Sequence, residues 1–241
     1  MNPHPEQPRR QRQPSRLERT MHVMIAGTLL VLAVLLAPIA VRASDLEAEA
    51  WPEFDIWIKV DDAGKNRIYI LSSFTEEPNF QYQESALGIS WDQRIHKNWA
   101  WRVGARYITK AVDPPDKNET RVVLDLKWYH ELGGGWLFTD RNRLDLRKFD
   151  GDQAGSYRYR NRVQLEKPFP VFSQQWAGFA SYELYYDSRF DEWGQRQRVI
   201  AGVSVPLSKW ASVDVFYGYH LEIKPKRETG SALGVAFGLS F

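Results

Sequence analysis

Cysteine is absent from all 241 residues, which removes disulfide frameworks and thiolate metal sites. Beyond residue 43 only three histidines remain, His96, His130 and His220. They are scattered and no calcium-type acidic loop accompanies them, so neither a metal nor any other cofactor is expected. Phosphate-loop and dinucleotide fingerprints are missing too, because the glycines of "LGGGW" lie between two extended segments and not between a strand and a helix. Past residue 43 there is no lysine-rich run and no long helical period, which leaves no nucleic-acid footprint.

One long apolar run exists, "VMIAGTLLVLAVLLAPIAV" from Val23 to Val41. Arg9, Arg10, Arg12, Arg16 and Arg19 precede it and "VRAS" follows. That order of basic, apolar and small-residue segments predicts an export signal over residues 1–43, cut between Ala43 and Ser44, and a mature domain over 44–241. Met1 and Met21 are both candidate starts, since the stretch from Met21 alone has ordinary signal length. The alternative is an uncleaved anchor, because the run nearly spans a bilayer core of about 30 Å. Pro38 and Arg42, just ahead of the small-residue site, suit a processed segment better. Removing residues 1–43 takes away six arginines and two glutamates and leaves 26 basic and 28 acidic side chains. The positive charge of the whole chain thus belongs to its leader.

All 33 aromatic residues lie at or beyond Trp51. From there the chain repeats one pattern, about ten alternating residues and then a turn, over segments near 51–60, 66–74, 84–94, 98–110, 119–130, 136–148, 155–167, 175–187, 195–206, 210–222 and 229–241. Trp99, Trp101, Val103 and Tyr107 alternate with Arg102, Gly104 and Arg106; Val122, Leu124, Leu126 and Trp128 alternate with Arg121, Asp125 and Lys127. A soluble sandwich would bury the apolar face, whereas a membrane barrel would turn it to lipid.

Three features separate these environments. The segments are longer than ordinary globular strands and match the roughly nine to eleven residues of a tilted membrane strand. Connections alternate in character: "IHKN", "LGGG" and "PLSK" are tight, while "VDPPDKNE", "FDGDQAGS", "SRFDEWGQ" and "IKPKRETG" are long and polar, with "KPFPVFSQQ" a long exception on the tight side. Trp91, Trp99, Trp128, Trp136, Trp176 and Trp210 flank the tight turns as an aromatic girdle would. The last segment, "ALGVAFGLSF", alternates to a terminal Phe241, the form of a C-terminal insertion signal of bacterial outer-membrane proteins. The expectation is an all-β, antiparallel transmembrane outer-membrane β-barrel. Eleven alternating strands would bring the first and last together in parallel, and bacterial barrels are normally even, so ten or twelve strands are expected.

Two kinds of chemistry can be weighed. A lipid hydrolase in the barrel wall would need serine and histidine together, yet no histidine has serine two residues away on its own strand face; only a cross-strand pair of His220 with Ser181 or Ser204 stays open. The charged face is the stronger candidate. "SYRYRNRVQLE" puts Arg158, Arg160 and Arg162 on one face, and the preceding "DRNRLDLRK" puts Arg141, Arg143, Asp145 and Arg147 on one face. With Arg102, Arg106 and Arg121 these are the expected interior residues, because an arginine at the bilayer midplane on a barrel's outer surface costs roughly 2–4 kcal/mol. Arginine rows side by side repel unless neutralised. Asp125, Asp145, Glu166, Glu183 and Asp187 share the inward parity and are available as partners. The interior is then either a salt-bridge network that fills the barrel or an electropositive path for anionic solutes.

The succession "RNRLDLR", "YRYRNRVQLE", "SYELYYD", "RFDEWGQRQRVIAGVSVPLS" and "VDVFYGYHLE" resembles the Gram-negative barrel family called domain of unknown function 2490, from "WPEF" to the terminal Phe. The resemblance implies an outer-membrane barrel without an established activity and supplies no catalytic residue. The reading is therefore a monomeric, non-enzymatic, structural or pore-forming barrel in the outer membrane. Its expected partners are outer-membrane lipid and lipopolysaccharide, the barrel-insertion machinery and periplasmic chaperones.

Overall fold

Alternation at period two carries the chain through eleven strands. They are β1 (Glu49–Lys59), β2 (Asn66–Glu76), β3 (Tyr82–His96), β4 (Trp99–Lys110), β5 (Glu119–Glu131) and β6 (Leu137–Phe149). The rest are β7 (Ser156–Val171), β8 (Gln174–Asp187), β9 (Glu192–Ser208), β10 (Ala211–Glu222) and β11 (Glu228–Ser240). The computed structural model describes residues 48–76, 82–110, 118–151, 155–223 and 227–241. The expected signal segment 1–43, both candidate starts and the cleavage site lie outside the described residues. So do residues 111–117, 152–154 and 224–226 of the connections read as long.

Each strand pairs antiparallel with the next, and the meander closes on itself through β1 and β11. This seam is parallel, from Glu49 opposite Ala232 to Trp57 opposite Ser240. The barrel therefore has eleven strands and one parallel pair, not the ten or twelve wholly antiparallel strands expected. An odd number of alternating strands leaves the first and last pointing the same way, and a parallel ladder accommodates them at slightly lower stability per residue. The chain end fastens the seam: Lys59 N–H donates to the Phe241 carbonyl at 2.9 Å, and Phe241 N–H to the Trp57 carbonyl at 2.9 Å.

Two connections are tighter than expected. β7 runs through Pro168 and Pro170, and only Phe172 and Ser173 separate it from β8. The β6 ladder ends where Leu137 faces Glu166, so beyond that point β7 has only β8 beside it and the missing proline N–H groups cost no bond to β6. Between β8 and β9, Asp187 collects the turn: Phe190 and Asp191 donate to its carbonyl at 3.0 and 3.1 Å. β9 then starts at Glu192 inside the segment read as a loop. The tight "LGGG" turn is as expected. Gly133, Gly134 and Gly135 all have φ between 58° and 80°, a run only glycine accepts readily.

Inward and outward faces differ sharply. Outward-facing Leu87, Ile89, Leu124, Leu126, Leu146 and Val215 are exposed, while inward-facing Asp92, Arg102, Glu119, Asp125, Arg143 and Asp145 are buried. The inside also holds a small apolar cluster on the β9–β11 and β1 wall, made of Trp51, Ile200, Phe216 and Ala232 with Phe179 and Ala236 against it. Glycines make room for these rings. A Cβ at Gly218 would lie 2.9 Å from Trp51, and one at Gly202 would lie 2.6 Å from Phe216 Cβ and 2.8 Å from the Phe179 ring.

Candidate functional site

The inward charges form rows that run across the strands. Lys59, Arg67, Asp92, Arg102, Asp125, Arg143, Arg160 and Tyr185 face one another in succession from β1 to β8. From Arg67 to Arg143 the signs alternate, so each carboxylate lies between two guanidiniums. A second row runs Lys127, Arg141, Arg162, Glu183, Arg198 and His220 from β5 to β10. A third places Arg106, Arg121 and Arg147 side by side on β4, β5 and β6. Such rows exist because directly opposed residues share a sheet face.

Five carboxylates hold most of the guanidiniums. Asp92 receives Arg67 Nη2 at 2.6 Å and Arg102 Nε and Nη2 at 3.2 Å. Asp125 takes a fork from Arg143, with Nε at 2.6 Å and Nη2 at 2.8 Å. Glu183 receives Arg141 at 2.6 Å, Arg160 Nε and Nη2 at 3.0 Å, Arg162 at 2.9 Å and the Tyr185 hydroxyl at 2.8 Å. Asp187 accepts from Arg147 and Arg158 at 2.7 Å and from Arg189 Nη2 at 2.9 Å. Glu119 separates the like charges of the third row, binding both Arg121 and Arg147. Two-point guanidinium contacts fix orientation as well as charge. Rings add to this: Arg102 lies 4.0 Å from the Tyr69 ring centre and Arg160 4.8 Å from that of Tyr185.

The expected interior set thus lies inside the barrel, but its members are not equally engaged. Asp145 is 1% exposed and stands 3.8 Å from Arg160, with neither oxygen hydrogen-bonded. Among the described residues Glu166 does not pair with an arginine; it faces Leu137 and Phe179 nearer the tight turns, where its side chain takes a 3.5 Å bond from Gln164. Arg106 and Arg198 have neither ion pair nor hydrogen bond among the described residues, and Arg198 lies 4.3 Å over the Trp51 ring. Sequence reasoning missed Asp92 and Glu119. Asp92 shares its strand face with small residues, Gly88 and Ser90, and Glu119 stands where the connection "VDPPDKNE" overlaps the segment read near 119–130, as the first residue of β5. Inward parity was the available signal for both.

Trp91, Trp99 and Trp136 are exposed toward the tight-turn end, and Trp128, Trp176 and Trp210 are half-buried there. Trp99 packs on Trp128 at 6.4 Å, and Trp210 stacks on Phe241 at 6.3 Å. A second aromatic set, absent from the sequence reading, gathers toward the opposite end, where Tyr186 and Tyr159 lie 5.3 and 5.6 Å from exposed Trp193. His96 and His130 are exposed at the tight-turn end. His220 faces inward, stacked 5.9 Å from Trp51, with Nε2 3.6 Å from Glu49 Oε1.

Neither serine reaches His220. Ser204 faces Asp214, six residues along β10 from His220, or about 20 Å of strand. Ser181 faces Ile200, and Ile200 faces Gly218, which places it two strands over and two residues along. No serine–histidine pair therefore forms there.

The fold and its interior define a closed, single-sheet β-barrel with a charged, ion-paired inside. The chain belongs to a family described as "Protein of unknown function (DUF2490)", whose profile matches residues 49–230, from the start of β1 to the beginning of β11. The match stops short of the terminal Phe241 to which the resemblance was drawn. No curated protein sequence matches the chain.

Proposed function

We propose that this protein is an integral outer-membrane barrel of a Gram-negative cell, exported by its N-terminal signal, whose interior is filled by ion pairs and aromatic rings and serves a structural role. One observation carries this reading: polarity is inverted, with buried charges inside and exposed leucines, isoleucines, valines and aromatics outside. A soluble protein rarely exposes a contiguous apolar surface beyond a few hundred Å², whereas a lipid-facing wall requires one. Strands of 11 to 17 residues are long enough, when tilted, to cross an apolar band of about 25 Å.

The filled interior is favoured over an anion path because carboxylates already occupy most of the guanidiniums. The test is expression in a Gram-negative host. The expected protein sediments with the outer membrane, resists carbonate extraction, runs faster on gels when unheated, and gives no stable conductance steps in planar bilayers. Release as soluble protein would overturn the membrane reading. Stable anion-selective steps altered by Arg160→Glu would overturn the filled-barrel reading.

A further inference from the structure

The geometry points to a binding site for a phosphate-type oxyanion on the inner wall of the barrel, formed by Arg141, Arg162 and Arg198 around Glu183. The argument is one of charge and donors in a fixed row. Arg141, Arg162, Glu183 and Arg198 face one another in succession across β6, β7, β8 and β9. Glu183 accepts from three guanidiniums and the Tyr185 hydroxyl, five contacts in all. A carboxylate offers about four lone-pair positions. It is saturated, and Arg198, its direct neighbour in the row, gets none of it.

Three guanidiniums, those of Arg141, Arg160 and Arg162, therefore share Glu183, with Asp145 3.8 Å from Arg160 alone among them, and Arg198 beside them is paired with neither acid. Donors are in surplus. Arg141 and Arg162 each spend one N–H group on Glu183 and Arg198 spends none, although a guanidinium carries five. Their Nε atoms are buried without a partner. Yet the side chains of Arg141 and Arg162 remain 15% and 23% exposed, so neither is sealed off as Glu183 is. Trp51 fixes Arg198 from one side, its ring centre 4.3 Å from the guanidinium carbon. Guanidiniums that outnumber the carboxylate they share, unspent planar donors and partly exposed side chains in one row suit a ligand that only accepts and carries negative charge. Phosphate oxygens match guanidinium forks in this way. The phosphate could be inorganic or carried by a lipid headgroup.

The experiment uses the full chain folded in detergent. One arm is equilibrium dialysis against radiolabelled inorganic phosphate. The other is native mass spectrometry of delipidated protein exposed to phosphatidylglycerol or to a lipid without phosphate. Near-stoichiometric, saturable binding of at least one phosphate-bearing probe is expected, weakened about tenfold or more by Arg198→Gln and by Arg162→Gln and unchanged by Arg94→Gln near the tight turns. Retention of phosphatidylglycerol without inorganic phosphate assigns the ligand to a lipid; the reverse assigns it to the free ion. Arg198 makes no ion pair among the described residues, so its substitution leaves the described ion pairs intact, and the unheated gel mobility verifies folding. Absence of saturable binding by both probes, or binding indifferent to both substitutions, overturns the site. Because the readout is taken on purified protein, it is separate from where the barrel resides in the cell.

Discussion

Replacing Glu183 by glutamine should damage the barrel far more than removing any single arginine around it. Glu183 is 1% exposed and receives Arg141, Arg160, Arg162 and Tyr185. Removing one partner of a buried ion pair costs about 3–5 kcal/mol, because the other charge is left uncompensated. Here three guanidiniums are stripped at once, so about 3–5 kcal/mol is a floor for Glu183→Gln. The reverse change behaves differently. Arg162 sits opposite Arg141, a like charge, and shares its carboxylate with two others. Arg162→Gln relieves repulsion while it loses one contact, and should cost about 1 kcal/mol or less. The assay is urea unfolding in lipid vesicles, followed by fluorescence of the ten tryptophans. With an m-value of about 2–3 kcal/mol/M, Glu183→Gln should lower the midpoint by about 1–2 M and Arg162→Gln by less than about 0.5 M. Equal shifts, or a larger one for the arginine, would refute the picture of an overcharged cluster pinned by one acid.

Three further outcomes follow from particular contacts. Cysteines introduced together at Ile56 and Leu239, register partners across the parallel seam, should form a disulfide on mild oxidation in a chain with no native cysteine, whereas Ile56→Cys with Val235→Cys should not; an unlinked first pair would mean that the barrel closes otherwise. Leu124→Arg on the outer face should cost about 2–4 kcal/mol in vesicles, while a water-facing position would tolerate it within about 0.5 kcal/mol, so a neutral result in the urea assay counts against lipid at Leu124. Trp51→Ala should lower stability by about 3–5 kcal/mol, the usual cost of deleting a buried aromatic ring, and should raise hydrogen exchange along β1 and β11 more than along β5 and β6; uniform protection would remove Trp51 from any role at the seam.

What could be read from the sequence was whatever alternates within one strand. Tyr157 and Tyr159 against Arg158 and Arg160 announce an inside and an outside without knowledge of any neighbour. Partners require the lateral register, which is set by turn lengths and bulges. That Glu183 serves Arg141 on a strand 42 residues away cannot be recovered from parity. Prolines misled in one place: Pro168 and Pro170 break the expected pattern, yet they sit where β7 has outrun β6 and needs no donor on that side. The parallel seam was legible as arithmetic, since eleven segments were counted, but the even number usual in bacterial barrels argued against it. The closure itself depends on contact between the two ends of the chain, which carries no local signal.

The two halves of the interior answer different demands. From β2 to β8 the wall is held by charges whose partners lie mostly one or two strands away, and Asp92, Asp125, Glu183 and Glu119 each tie two or three strands together. The seam is tied more sparsely: on the inward face of β11, Gly230, Ala232, Gly234, Ala236 and Gly238 carry no group that can pair, and across them His220 Nε2 on β10 stands 3.6 Å from Glu49 Oε1 on β1. A parallel ladder is also the weaker kind. Trp51 compensates from inside. Rooted on β1 opposite Gly234, its ring passes over β11 to lie against Gly218 on β10, under Arg198 from β9 and beside His220. Burying a ring of about 200 Å² contributes on the order of 5 kcal/mol, which is large against the small per-residue deficit of the parallel pairing. The small residues of β11 are therefore what let one side chain span three strands, and the aromatic cluster belongs to the closure of the barrel as much as to the filling of its interior.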